Sequence, residues 1–166
     1  MIRRRTSTAL AAVALALTAP ALAGCGGSEG GSASALPDVQ LTSVGDGSTI
    51  DASELRGPAL VNLWATWCGP CRAEMPAFQA VASDLGDVRV IGINEGDAGD
   101  KAAGFLDDVG VTFDQYLDPD SAISAELRVS GLPATLVVDA DGHVVEIHSG
   151  ALDEDGIRDL AATLAP

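Results

Sequence analysis

Two cysteines three apart, in Trp67-Cys68-Gly69-Pro70-Cys71, sit where an apolar run gives way to a helical pattern. No other feature constrains the chain as much. The run before them, Ala59-Leu60-Val61-Asn62-Leu63-Trp64, is rich in branched and aromatic residues and reads as a buried strand. Beyond it, Cys71, Met75, Phe78, Ala82 and Leu85 recur at helical spacing as one apolar stripe. This helix is expected to run to about Leu85, with Gly86 as its stop. Pro76 lies inside it and removes the bond to the Arg72 carbonyl, so a bend is expected there. A Cys-x-x-Cys at a strand-to-helix junction is a redox element. The first thiol lies near the free N–H groups of the helix start, where the dipole favours an anion. Its pKa should fall below the ordinary value of about 8.5. The second thiol, one turn along, is placed to close a disulfide with the first.

The flanks complete an α/β pattern. Val39–Thr42 and Ser48–Ile50 bracket Val44-Gly45-Asp46-Gly47, a hairpin turn signal. Asp51-Ala52-Ser53-Glu54 has capping-box spacing and predicts one short helical turn before Gly57. Val88–Ile93 is a second apolar strand, followed by a polar loop over Asn94–Asp100 and a helix over Lys101–Val109 that Gly110 stops. Asp118-Pro119 is expected to open another helix to about Arg128. Ala134–Val138 and Val144–His148 are strands joined by the turn Asp139-Ala140-Asp141-Gly142. Asp153–Leu164 closes the chain as an amphipathic helix with Ile157, Leu160, Ala161 and Leu164 on one face. Alternating strands and helices argue a central sheet flanked by helices.

The first residues carry a different message. Arg3, Arg4 and Arg5 precede an apolar stretch that ends in small residues, the pattern of an export signal over residues 1–24. Leu22-Ala23-Gly24-Cys25 resembles the lipobox of bacterial lipoproteins, which makes Cys25 the expected lipidated residue. A plain signal with Cys25 left free is the alternative, and a free thiol there would be odd in a secreted protein. Gly26–Ala35 is nearly all glycine, serine and alanine, so residues 25–36 are expected to form a flexible tether and residues 37–166 the globular domain.

Charge narrows the partners. The chain carries a net −15, and residues 1–24 hold three arginines and no acid, so their removal leaves −18. That excludes nucleic acid as a natural partner and repels anionic headgroups. Lipid would then have to supply the membrane attachment.

Leu60-Val-Asn-Leu-Trp-Ala-Thr-Trp-Cys-Gly-Pro-Cys-Arg-Ala-Glu-Met-Pro76 resembles the thioredoxin superfamily. The resemblance is nearer to its membrane-tethered, extracytoplasmic branch, which includes TlpA, ResA and the cytochrome c maturation thioredoxins. The hairpin before the first core strand agrees. So do a strand–helix insertion at about 94–128 and Val129-Ser-Gly-Leu-Pro133-Ala-Thr135, which resembles the family's cis-proline loop. The implied fold is thioredoxin-like α/β: a central mixed sheet with an N-terminal hairpin and a central insertion. Gly69-Pro70 between the cysteines matches cytosolic thioredoxin, where this branch often has Pro-Pro or Glu-Pro, and Leu132 stands where many members place a polar or β-branched residue.

The resemblance implies roles residue by residue. Cys68 would attack and Cys71 resolve; Glu74 would take the Cys71 proton, in place of the buried aspartate that Asn62 replaces. A solvated helix glutamate is the plain alternative for Glu74. Pro133 would pack against the disulfide in the cis form, or sit in an ordinary trans turn. Trp67, Gly69, Pro70 and Leu132 would form the substrate rim, and Trp64 would pack inside. The implied activity is a lipid-tethered thiol–disulfide oxidoreductase, most simply a reductase of exported proteins such as apocytochrome c. It would be a monomer, without cofactor, supplied by a membrane electron donor or acceptor. A disulfide-forming oxidase is the close rival. A peroxidase lacks its motif, since the peroxidatic cysteine follows a threonine by three positions and Thr66 precedes Cys68 by two. A tethered binding module with an inert disulfide is the remaining alternative. No metal is expected: zinc wants four ligands, and His143 and His148, five apart on one strand, should face opposite ways.

Overall fold

The computed structural model describes residues 34–164, and Cys25 and the expected signal lie outside them. Eight strands form one sheet: β1 (Ser34–Ala35), β2 (Gln40–Ser43), β3 (Thr49–Asp51), β4 (Ala59–Trp64), β5 (Arg89–Glu95), β6 (Asp114–Asp118), β7 (Ala134–Val138) and β8 (His143–Ser149). Their order is β1-β8-β7-β4-β5-β6-β2-β3. The pairs β4–β5 and β5–β6 are parallel and the others antiparallel, so the sheet is mixed, as expected. Among the described residues four α-helices cover it: α1 (Gly69–Val81), α2 (Gly99–Val109), α3 (Ala122–Leu127) and α4 (Glu154–Ala162).

Alternation along β4 divides its side chains between the two faces. Val61 and Leu63 join Ile91, Ile93, Leu136 and Ile123 in one core cluster, while Leu60 packs with Phe78, Val81, Val137 and Ile157 on the face of α1 and α4. Trp64 belongs to a third cluster with Cys68, Cys71, Met75, Ala102 and Phe105, between α1 and α2. Burying each of these large side chains stabilises the fold by about 1.5–3 kcal/mol.

Several boundaries differ from expectation. Ser34 and Ala35, placed in the tether, pair with Val144 and His143, and Leu36 is only 2% exposed. The ordered domain therefore begins inside the span assigned to the tether. Helix α1 runs through Pro76 but ends at Val81, not Leu85. After Ala82 donates to Phe78, Asp84 bonds three back to Val81, so a tight turn replaces the last helical turn. Val81, Ser83 and Asp84 are weak helix formers, consistent with that stop. Helix α3 begins at Ala122, since Asp118 closes β6 and its main-chain oxygen takes the Ser121 amide in a turn. Strand β6 has no apolar run of its own, and only the family's strand–helix insertion implies it. In β8 an irregularity beside Val145 puts Val144 opposite Val138 and Glu146 opposite Val137. That extra residue cancels the strict alternation behind the opposite-face expectation for His143 and His148.

Candidate active site

Strand β4 ends at Trp64, and the chain turns through Ala65–Trp67 into α1 with Cys68 as the N-cap residue. Cys68 is extended (φ −87°, ψ 104°), and its Sγ accepts from the Cys71 amide at 3.2 Å, an N-terminal bond the helix would otherwise leave open. Pro70 falls in the first turn, where a missing N–H costs nothing. Cys68 and Cys71 form a disulfide, S–S 1.98 Å with Cα atoms 5.3 Å apart. The two sulfurs are not equivalent. Cys68 retains 6% exposure and Cys71 none, so a thiol from outside meets Cys68 first.

The Leu132–Pro133 peptide is cis. Ala134 pairs with Leu63, which brings Pro133 to the C-terminal end of β4, from which the chain leads to Cys68. The Pro133 carbonyl accepts from the Gly150 amide at 2.9 Å. Leu132 packs against both the disulfide cluster and the opposite core cluster. Trp67 is 68% exposed beside Cys68, whereas Trp64 is fully buried. The Trp64 indole donates to Gln115 Oε1 at 2.9 Å and its ring lies 5.4 Å from Phe105. Gly69 and Pro70 are exposed at the helix tip.

Glu74 is buried, only 3% exposed, on the same side of α1 as Cys71 and Met75. The solvated alternative therefore fails. Asn62 Nδ2 donates to Oε1 at 2.7 Å and the Leu152 amide donates to Oε2 at 3.0 Å. Burial outweighs both bonds and pushes the carboxyl up to about 7. At neutral pH such a group both accepts and releases a proton. Asn62 lies opposite Thr135, two residues past Pro133, so the strand order joins the glutamate's partner to the proline loop.

No local sequence pattern marks Asp97. Its Oδ2 accepts from the Thr66 amide at 2.6 Å and from Asn94 Nδ2 at 3.0 Å, and its Oδ1 accepts from the Thr66 hydroxyl at 2.7 Å. Burial works to raise this carboxyl, but these bonds and the Lys101 charge hold it below the usual range. Arg72 stands over the Phe105 ring at 5.2 Å. At the far edge of the sheet Asp139, Asp141 and His143 bring three potential metal-ligand atoms within 4.8 Å of one another. Asp139 Oδ1 already takes the Asp141 and His143 amides, as a turn requires.

Comparison with known proteins agrees with this geometry. The AhpC/TSA family model matches residues 33–147. The thiol:disulfide interchange protein HelX of Rhodobacter capsulatus is 35% identical over 124 residues, 73% of this chain and 69% of that protein. The thiol-disulfide oxidoreductase ResA of Bacillus subtilis is 32% identical over 124 residues, with the same shares of each chain. A secreted thiol-disulfide isomerase from Corynebacterium glutamicum superposes with a TM-score of 0.68 at 27% identity, covering 78% of this chain and 84% of that one. The chain thus belongs to the AhpC/TSA family with a thioredoxin-like fold, and within it is a thiol–disulfide oxidoreductase of the HelX and ResA type.

Proposed function

We propose that this protein is an extracytoplasmic reductase of disulfides in exported proteins, apocytochrome c among them, held to the cell membrane by lipid on Cys25. The observation that carries the chemistry is the asymmetry of the disulfide, in which Cys68 keeps 6% exposure and Cys71 is fully enclosed one helical turn from the buried Glu74. In the dithiol state the Cys68 thiolate attacks one sulfur of a substrate disulfide. A Cys68–substrate bond forms, the substrate bond breaks, and its other sulfur leaves as thiolate. Cys71 gives its proton to the Glu74 carboxylate and attacks Cys68 Sγ. The Cys68–Cys71 bond forms, the mixed bond breaks, and the second substrate sulfur leaves. Two electrons pass to the substrate, whose thiolates take protons from water, and Glu74 later releases its proton. A membrane electron donor restores the dithiol by the same exchange run backwards.

Trp67, Gly69, Pro70 and Leu132 are the proposed rim for an extended substrate segment, and Pro133 backs it. A peroxidase is disfavoured because the Thr66 hydroxyl is committed to Asp97. Trapping mixed disulfides in cells with Cys71→Ser tests the substrate class: exported cysteine-bearing proteins are expected, and no captured partner would count against it. A potential near −270 mV fits reduction, and one near −120 mV would reverse the direction. An inert binding module would give no acceleration of insulin reduction in the presence of a dithiol.

A further inference from the structure

The loop Ala65–Trp67 presents Cys68, and its own bonding is sparse. The Cys68 amide donates to the Ala65 carbonyl at 3.2 Å. Among the described residues, Asp97 is the one side chain from another element that hydrogen-bonds this loop. The sheet register explains how it gets there. Trp64 pairs with Asn94 in the parallel β4–β5 ladder, so three residues past Asn94 the chain lies beside the residues that follow Trp64. Asn94 itself donates to Asp97 Oδ2 and fixes the carboxylate from behind. Asp97 is 8% exposed and accepts three hydrogen bonds, two of them from Thr66. Bonds to an ionised acceptor are the strong kind. Helix α2, which follows directly, supplies Phe105 against Trp64. The segment after β5 therefore holds the turn into α1 at Thr66 and the strand end before it at Trp64.

We propose that Asp97 is a positioning residue: through Thr66 it latches the loop that presents Cys68 and Trp67, and so sets how fast Cys68 attacks. It rests on Cys68 being the attacking sulfur. With the latch intact, the Cys68 thiolate stays at the first turn of α1, where the free amides stabilise it. Without the latch, the loop loses its outside anchor and the sulfur leaves that field part of the time.

Two variants separate bonding from charge. Asp97→Asn keeps an acceptor for the Thr66 amide, and its NH2 donates to the Thr66 hydroxyl oxygen, so the latch survives without the charge. Asp97→Ala removes it. Cys68 alkylation by iodoacetamide is followed against pH on the reduced protein, beside kcat/KM for insulin reduction. Asp97→Ala is expected to raise the alkylation midpoint toward the ordinary thiol value of about 8.5 and to lower kcat/KM about tenfold. Asp97→Asn is expected to stay within about threefold of wild type. Should Asp97→Ala fail to fold, Thr66→Val removes one latch bond and is expected to shift both readouts in the same direction, with Thr66→Ser restoring them. An unchanged midpoint in Asp97→Ala or Thr66→Val, or an Asp97→Asn as impaired as Asp97→Ala, would overturn the latch. The alkylation arm needs no turnover, so it reads the latch even if Cys68→Ser retains insulin reductase activity, the result that would sink the parent assignment.

Discussion

Replacing Glu74 with glutamine should make the protein more stable at alkaline pH and much slower. The glutamine is nearly the same shape and carries no charge. Its oxygen accepts the Leu152 amide, and its NH2 needs an acceptor. Asn62 Oδ1 is buried without a partner, so turning the Asn62 amide over supplies one. The flip leaves Asn62 Nδ2 unpartnered in place of Oδ1, so the number of unpaired buried groups on Asn62 is unchanged. In the wild type the carboxyl is pushed from 4.5 to about 7 by burial. The folded state thus binds this proton more tightly than the unfolded state. The carboxyl's contribution is whole below about pH 4.5 and is lost as the pH rises through 7. Between pH 5 and pH 8 that amounts to about 2–3 kcal/mol at 1.36 kcal/mol per unit. Glutamine has no such dependence. Urea unfolding of the oxidised protein at both pH values should show the stability gap between variant and wild type widen by that amount. A gap of the same size at both would refute the buried, shifted carboxyl. Insulin reduction by the variant should fall about a hundredfold if Glu74 is the Cys71 proton acceptor proposed above.

Other expectations follow from named contacts. A Cβ at Gly92 would run into the Gln115 side-chain amide, which is already tied to Trp64, so Gly92→Ala should cost about 1–3 kcal/mol in a denaturant titration. Gly104, inside α2 with open space around it, should behave oppositely, Gly104→Ala stabilising by about 0.5–1 kcal/mol. Cys25→Ser should move the protein from the membrane fraction to the soluble fraction of cells. Retention on membranes would remove the lipid from the proposal.

How far the sequence revealed this molecule depended on how local each signal was. Strands β4, β5 and β7 are short apolar runs and could be read directly, as could the β2–β3 hairpin from its turn residues. The disulfide pair was legible for the same reason, three residues of spacing at a strand–helix junction. Strand β6 was not, because Asp114, Gln115 and Asp118 leave it only Tyr116 and Leu117 as apolar residues and its place is fixed by pairing with β5 and β2. Ser34 and Ala35 look like tether because their strand character comes wholly from β8. Glu74 could be singled out by its spacing from Cys71, but its burial depends on Asn62, 12 residues before it, and on Leu152, 78 after. Asp97 meets Thr66 across 31 residues. Such pairs are made by strand register and by the packing of α1 on the sheet, which no window of sequence contains.

The most direct test compares the two sulfurs separately. Reduced Cys71→Ser and Cys68→Ser proteins are mixed with an aromatic disulfide at neutral pH, and formation of the mixed disulfide is timed. The protein that keeps Cys68 should react about a hundredfold faster than the one that keeps Cys71, as an accessible thiolate at a helix start requires. Equal rates, or a faster Cys71, would contradict it.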